Sequence, residues 1–138
     1  MKKLFLDTNI VIDLLAKREP FYAEAAMLFT LADKQKIRLN VSALTFANTN
    51  YILLKEKKPE DAKQILRKLK LLVQVLSLDE KIVALSLNDN EFKDYEDSLQ
   101  YFTALENGVD AIITRNLKDF QKAKLPVMTA AQYLKSIK

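Results

Sequence analysis

Leu4-Phe5-Leu6-Asp7-Thr8-Asn9 decides the fold. Three apolar residues in a row suit a short strand buried on both faces, because successive strand side chains point to opposite sides and here neither side is polar. Asp7 follows at the strand's carboxyl end, where open α/β sheets form their ligand crevices. Ile10, Val11, Leu14 and Leu15 then give a helical stripe, so a helix is expected from Ile10 to Lys17. The arrangement returns at Ala111-Ile112-Ile113-Thr114-Arg115-Asn116, and an acidic cluster, Asp94-Tyr95-Glu96-Asp97, opens a helix shortly before it.

Outward from these units, helical and strand patterns alternate, as in βα units around a mostly parallel sheet. Pro20 suits the first turn of a second helix, on which Phe21, Ala25, Leu28, Phe29 and Ala32 share a face. Arg38–Val41 reads as a strand, and Ser42 as the N-cap of a helix reaching about Lys57. Pro59 opens a further helix, Val73–Leu76 is a strand, and Asp79–Asp89 is a helix. A polar connection, Asn88–Asp94, leads to a helix from Glu96 to Asn107. Gly108, the only glycine, then stands where a left-handed C-cap is wanted. Ala111–Ile113 is a buried strand, Pro126–Val127 an edge strand, and Thr129 caps a last helix to Ile137. The expectation is one α/β domain over residues 1–138. Right-handed parallel crossovers gather strand carboxyl ends on one edge, so Asp7, Ser42 and Thr114–Asn116 should meet there.

Composition narrows the chemistry. The chain has no cysteine and no histidine. That removes disulfides, thiolate zinc sites, the Ser-His-Asp triad and most transition-metal ligation. Carboxylate and amide oxygens converging on one sheet edge point instead to a hard cation acting on phosphate. A net charge of +4 is compatible with a polyanionic partner. No apolar run reaches the length of a membrane span and the amino terminus has no signal-peptide pattern, so a cytoplasmic location without a membrane partner is expected.

Each candidate also has a plain structural role. Asp7 can serve as a helix N-cap. Asp94 and Asp97 have the spacing of a capping pair. Thr114 and Asn116 can be turn residues after a buried strand, with Thr114 otherwise orienting a metal-ligating group and Asn116 or Asp119 supplying an oxygen. On spacing alone, Asn48 is a polar-face residue of its helix.

Taken in order, Asp7-Thr8-Asn9, Ser42-Ala43-Leu44-Thr45, Asp94 to Gln100, and Thr114-Arg115-Asn116-Leu117-Lys118-Asp119-Phe120 resemble the motifs of PIN domains. The resemblance covers essentially the whole chain. It implies a three-layer α/β/α sandwich with a central mostly parallel sheet, and metal-dependent ribonuclease activity. Many small members are VapC-type toxins of toxin–antitoxin pairs, so the resemblance also implies RNA as substrate, an antitoxin partner and a homodimer. Its first and third catalytic acids match Asp7 and Asp97; its second and fourth fall at Asn48 and Asn116, with Asp119 a substitute for the last. Two of the four acidic positions therefore carry amides.

Magnesium keeps several waters and needs only one or two protein carboxylates besides substrate phosphate, a minimum that Asp7 and Asp97 meet. A weak site for Mg²⁺ or Mn²⁺ is expected. Thr8, Asn9, Asn48, Asp94 and Thr114 would support it, and Arg115 and Lys118 either contact phosphate or are solvated loop charges. Two other readings stand beside this one. The two amides suit an inactive PIN-like domain that binds nucleic acid or a partner. Strand-Asp-x-Asn also loosely resembles haloacid-dehalogenase-like phosphatases, with Asp7 as nucleophile.

Overall fold

The computed structural model describes residues 1–138. Apolar residues of the first strand set its layers. In β1 (Lys2–Leu6), Leu4 and Leu6 point to one side and Phe5 to the other, all three fully buried. Leu4 and Leu6 join a cluster with Leu39 and Val41 of β2 (Ile37–Ser42) and Ala111 and Ile113 of β4 (Ala111–Ile113). Covering that face are α1 (Thr8–Leu15), α2 (Tyr22–Asp33), α4 (Pro59–Lys70) and α7 (Ala130–Ser136), through Ile10, Leu28, Leu69 and Tyr133 among others. Phe5 and Ile112 pack on the opposite face against Tyr101 and Ala104 of α6 (Tyr95–Glu106) and against Phe120. Each fully buried Leu, Ile or Phe contributes roughly 1.5–3 kcal/mol. The period-two alternation thus makes three layers, α/β/α, as expected.

All strand pairs are parallel, in the order β3-β2-β1-β4-β5, with β3 (Gln74–Leu76) and β5 (Val127–Met128) at the edges. Register pairs Leu4 with both Leu39 and Ala111, and Leu6 with Ile113. The chain fills the sheet outward from β1 on one side and then returns to the other, so the order reverses between β1 and β4. Crevices form at such reversals. α3 (Ala43–Leu53) follows β2 directly, and α5 (Glu80–Leu87) packs beside α6.

Several expected boundaries move, for local reasons. The first helix begins at Thr8 rather than Ile10, because Asp7 caps it. Pro20 lies in the turn ahead of α2 and not in its first turn. α3 stops at Leu53, short of Lys57, and residues 117–120 form a 3₁₀ turn where a plain loop was expected. Gly108 adopts φ 65 as anticipated. Its N–H bonds Leu105 O and that of Val109 bonds Ala104 O, the paired closure of a left-handed helix end. Lys17 and Gln35 close α1 and α2 in the same way at φ 51 and 59 without a glycine.

Candidate active site

At the reversal point, Asp7 serves both the fold and the crevice. Its extended backbone ends β1, its N–H continues the ladder to Ile113 O at 2.9 Å, and its Oδ1 accepts from Thr8 N at 2.8 Å to cap α1. Oδ2 accepts from Thr114 Oγ1 at 2.8 Å and from Asn9 Nδ2 at 3.2 Å. Burial nevertheless dominates and pushes the carboxyl above its ordinary range; the charge of Asp119 pushes the same way, against the hydrogen bonds from Thr114, Thr8 and Asn9.

A buried polar network sets the second wall. Gln100 Nε2 donates to Thr8 Oγ1 at 3.1 Å and Thr45 Oγ1 at 3.0 Å, while its Oε1 accepts from Ser42 Oγ. The Thr8 and Thr45 hydroxyls lie 2.9 Å apart. Four side chains thereby tie α6 to the carboxyl ends of β1 and β2. Asp97 precedes Gln100 by three residues and so shares its helix face, one turn nearer the N-terminus of α6.

Asp94 does cap α6, accepting from Asp97 N at 3.1 Å, but Asp97 makes no reciprocal bond. Half-buried, the Asp97 carboxyl is pushed up to about 7 by desolvation first, then by the charges of Asp94, Asp119, Asp7 and Glu96. Asn48 is tied to that rim: its Nδ2 donates to Glu96 Oε1 at 2.8 Å.

The loop after β4 forms the third wall. Thr114 Oγ1 accepts from Asn116 N at 3.0 Å while donating to Asp7, which holds the turn against the carboxylate. Lys118 and Asp119 share a cleft of about 390 Å³ with Asp94 and Asp97. Asn116 lines two neighbouring clefts, neither of which includes Asp7 or Asp97. Asp119 shares a cleft with Asp97, and its charge acts on both Asp7 and Asp97. Arg115 is an ion-pair partner of buried Asp13, at 2.8 Å, and not a freely solvated charge.

No three acidic side chains stand close enough to cage an ion by themselves. The donor set fits a hard cation that keeps much of its water. Burial raises both Asp7 and Asp97, the charge of Asp119 adds to it at each, and a divalent ion would offset both effects. The sequence assigns no role to Gln100 and Glu96 beyond their place in the Asp94–Gln100 motif, and none to Asp13. Gln100 had a usable signal in its three-residue spacing from Asp97; the other two depend on contacts that spacing does not encode.

Comparison with known proteins gives the same picture. The family model for the PIN domain matches residues 3–118. Ribonuclease VapC1 of Aquifex aeolicus (strain VF5) is 27% identical over 135 residues, spanning 96% of this chain and 93% of its own. Among solved structures, a toxin–antitoxin complex from Klebsiella pneumoniae aligns with TM-score 0.69 at 25% identity, covering 92% of this chain and 97% of that one. VapBC-1 from nontypeable Haemophilus influenzae aligns with TM-score 0.68 at 23% identity, covering 94% and 98%.

Proposed function

The chain belongs to the PIN domain family, and on that premise we propose that it is an endoribonuclease that hydrolyses RNA phosphodiester bonds with Mg²⁺ or Mn²⁺. The observation that carries this reading is buried Asp7 at the sheet's reversal point, held by Thr114, Thr8 and Asn9, together with Asp97 and Asp119 lining one cleft. Similarity across nearly the whole chain to a protein named as a ribonuclease supports it.

Asp7 and Asp97 would hold the cation, with Asp119 reaching it through water. When bound, the ion supplies charge neutralisation and Lewis acidity at the scissile phosphate. Asp119, on the open side, orients the attacking water and accepts its proton. Lys118, beside it, contacts a non-bridging phosphate oxygen. Water oxygen bonds to phosphorus, the P–O ester bond breaks, and the departing oxygen is protonated by solvent. Thr8, Asn9, Thr114 and Gln100 hold Asp7 and α6 in place, while Asn48 and Asp94 fix the α6 rim.

Similarity to toxin–antitoxin complexes supports the toxin role within the same reading. An antitoxin would insert a cationic side chain among the three carboxylates, and a homodimer is the expected assembly. The test is RNA cleavage by wild type, Asp7→Ala and Asp97→Ala, with and without a chelator. Cleavage by wild type alone, abolished by chelation, is expected. Equal cleavage by all three would mean a contaminating nuclease and end the proposal. Mn²⁺-independent RNA binding without cleavage would favour the inactive binder.

A further inference from the structure

Asp13 has no exposed surface and takes no part in the site described above. Its only close cation is Arg115, whose Nε stands 2.8 Å from Oδ2. Neither Nε nor the Asp13 oxygens find another partner, so the two groups form an isolated ion pair. The guanidinium carbon lies 4.2 Å from the centre of the Phe21 ring. A buried pair of this kind adds little net stability relative to apolar packing, so its value lies in what it fixes. Here it fixes the residue between Thr114, which holds Asp7, and Asn116, which opens the turn carrying Lys118 and Asp119.

We propose that Asp13 and Arg115 form a positioning clamp that locks the Thr114–Asn116 turn onto α1 and so sets the placement of Asp7, Lys118 and Asp119. Three ties run between the two segments. Thr114 donates to Asp7 at 2.8 Å, Arg115 N donates to Asn9 Oδ1 at 3.4 Å, and Arg115 pairs with Asp13. Asn9 and Asp13 are one helical turn apart and share a face of α1. The middle tie is long, so the ion pair is what holds Arg115. Phe21 supports the guanidinium from the segment before α2, and Arg18 lends Asp13 a second, weaker positive charge. With its charge matched and one face covered, Arg115 is a positioning residue rather than the phosphate contact its sequence position suggests. The kinetic half of this inference rests on the ribonuclease reading; the structural half does not.

Asp13→Asn, Arg115→Gln, the double variant and the milder Arg115→Lys test it, each read by amide hydrogen exchange over residues 114–119, Mn²⁺ affinity, and kcat and KM on RNA. In the Asn and Gln single variants, exchange at Arg115 and Asn116 should quicken roughly tenfold as the turn opens locally. Their kcat should fall about 10- to 100-fold from misplacement, with KM changed less than about threefold. The double variant should be no worse than the worse single one, because the two residues act as a unit. Arg115→Lys, which keeps the charge and loses the planar stack, should fall between. A raised KM at unchanged kcat in Arg115→Gln would make it a phosphate contact and overturn the clamp. Lower thermal stability with unchanged kcat and Mn²⁺ affinity would reduce the pair to a structural one. Should wild type cleave no RNA, the ribonuclease reading fails, and unchanged exchange in both single variants would still refute the clamp.

Discussion

Thr114 Oγ1 donates to Asp7 Oδ2 at 2.8 Å across a sequence separation of 107 residues. The same oxygen accepts from Asn116 N at 3.0 Å, so one buried hydroxyl joins the carboxylate of β1 to the turn after β4. Replacing it by a methyl group in Thr114→Val leaves the Asn116 N–H without its acceptor and Asp7 short of a donor. The expected loss is about 1–3 kcal/mol in urea denaturation. RNA cleavage should fall about 10- to 100-fold, through displacement of Asp7. Thr114→Ser should retain most of both.

The pH response follows from Asp97, whose carboxyl is pushed up to about 7. Between the ordinary carboxylate range and that value, the folded chain holds a proton that the unfolded chain has released. Its contribution to metal-free stability is therefore greatest at acid pH and declines as pH rises through that window, and Asp7 is shifted in the same direction. Cation binding needs the deprotonated form, so Mn²⁺ affinity should rise across the window. Thermal denaturation with and without Mn²⁺, wild type beside Asp97→Asn, checks both signs. A wild-type curve parallel to that of the variant would contradict the shift.

Gln100 spans Ser42, Thr45 and Thr8. Gln100→Leu removes its bonds to three hydroxyls in and around a buried pocket at similar side-chain volume, and should cost about 1–3 kcal/mol. Because Asp97 rides on the same helix face, Mn²⁺ affinity should fall with it. Loss of stability without loss of affinity would show that the network does not position Asp97.

The helix end at Gln35 gives a prediction independent of function. A non-glycine residue at φ 59 costs about 1–2 kcal/mol, and glycine returns about 0.4–1 kcal/mol of that through unfolded-chain entropy. Gln35→Gly should therefore raise stability by about 0.5–1 kcal/mol with cleavage unchanged. Denaturant titration checks it.

Much of this fold was legible because its strongest signals are local. Leu4–Leu6 and Ala111–Ile113 are too apolar for a half-exposed strand, and Ser42, Asp79 and Thr129 cap the helices that follow them. Gly108 marks a left-handed helix end, the conformation glycine adopts without strain. Lys17 and Gln35 make the same closure without a glycine, so no residue type announced them. Pro20 obeys its fixed φ equally well in a turn, and the turn won. In the site, Asp7 and Thr114 were legible because strand ends and parallel topology place them. Arg115 was not: its partner Asp13 sits in a helix at an otherwise apolar position, and only tertiary packing pairs the two. Asn116 and Asp119 read alike in the sequence, and the 3₁₀ turn of residues 117–120 that separates their settings is not encoded in their spacing from Thr114.

The most direct test of the shared cation site is Mn²⁺ binding followed by electron paramagnetic resonance on wild type, Asp7→Asn and Asp97→Asn, all verified as folded. Wild type should take up Mn²⁺ with an affinity that each substitution lowers at least about tenfold, the loss of one ligand from a two-carboxylate site. Mn²⁺ uptake identical in all three proteins would contradict the account.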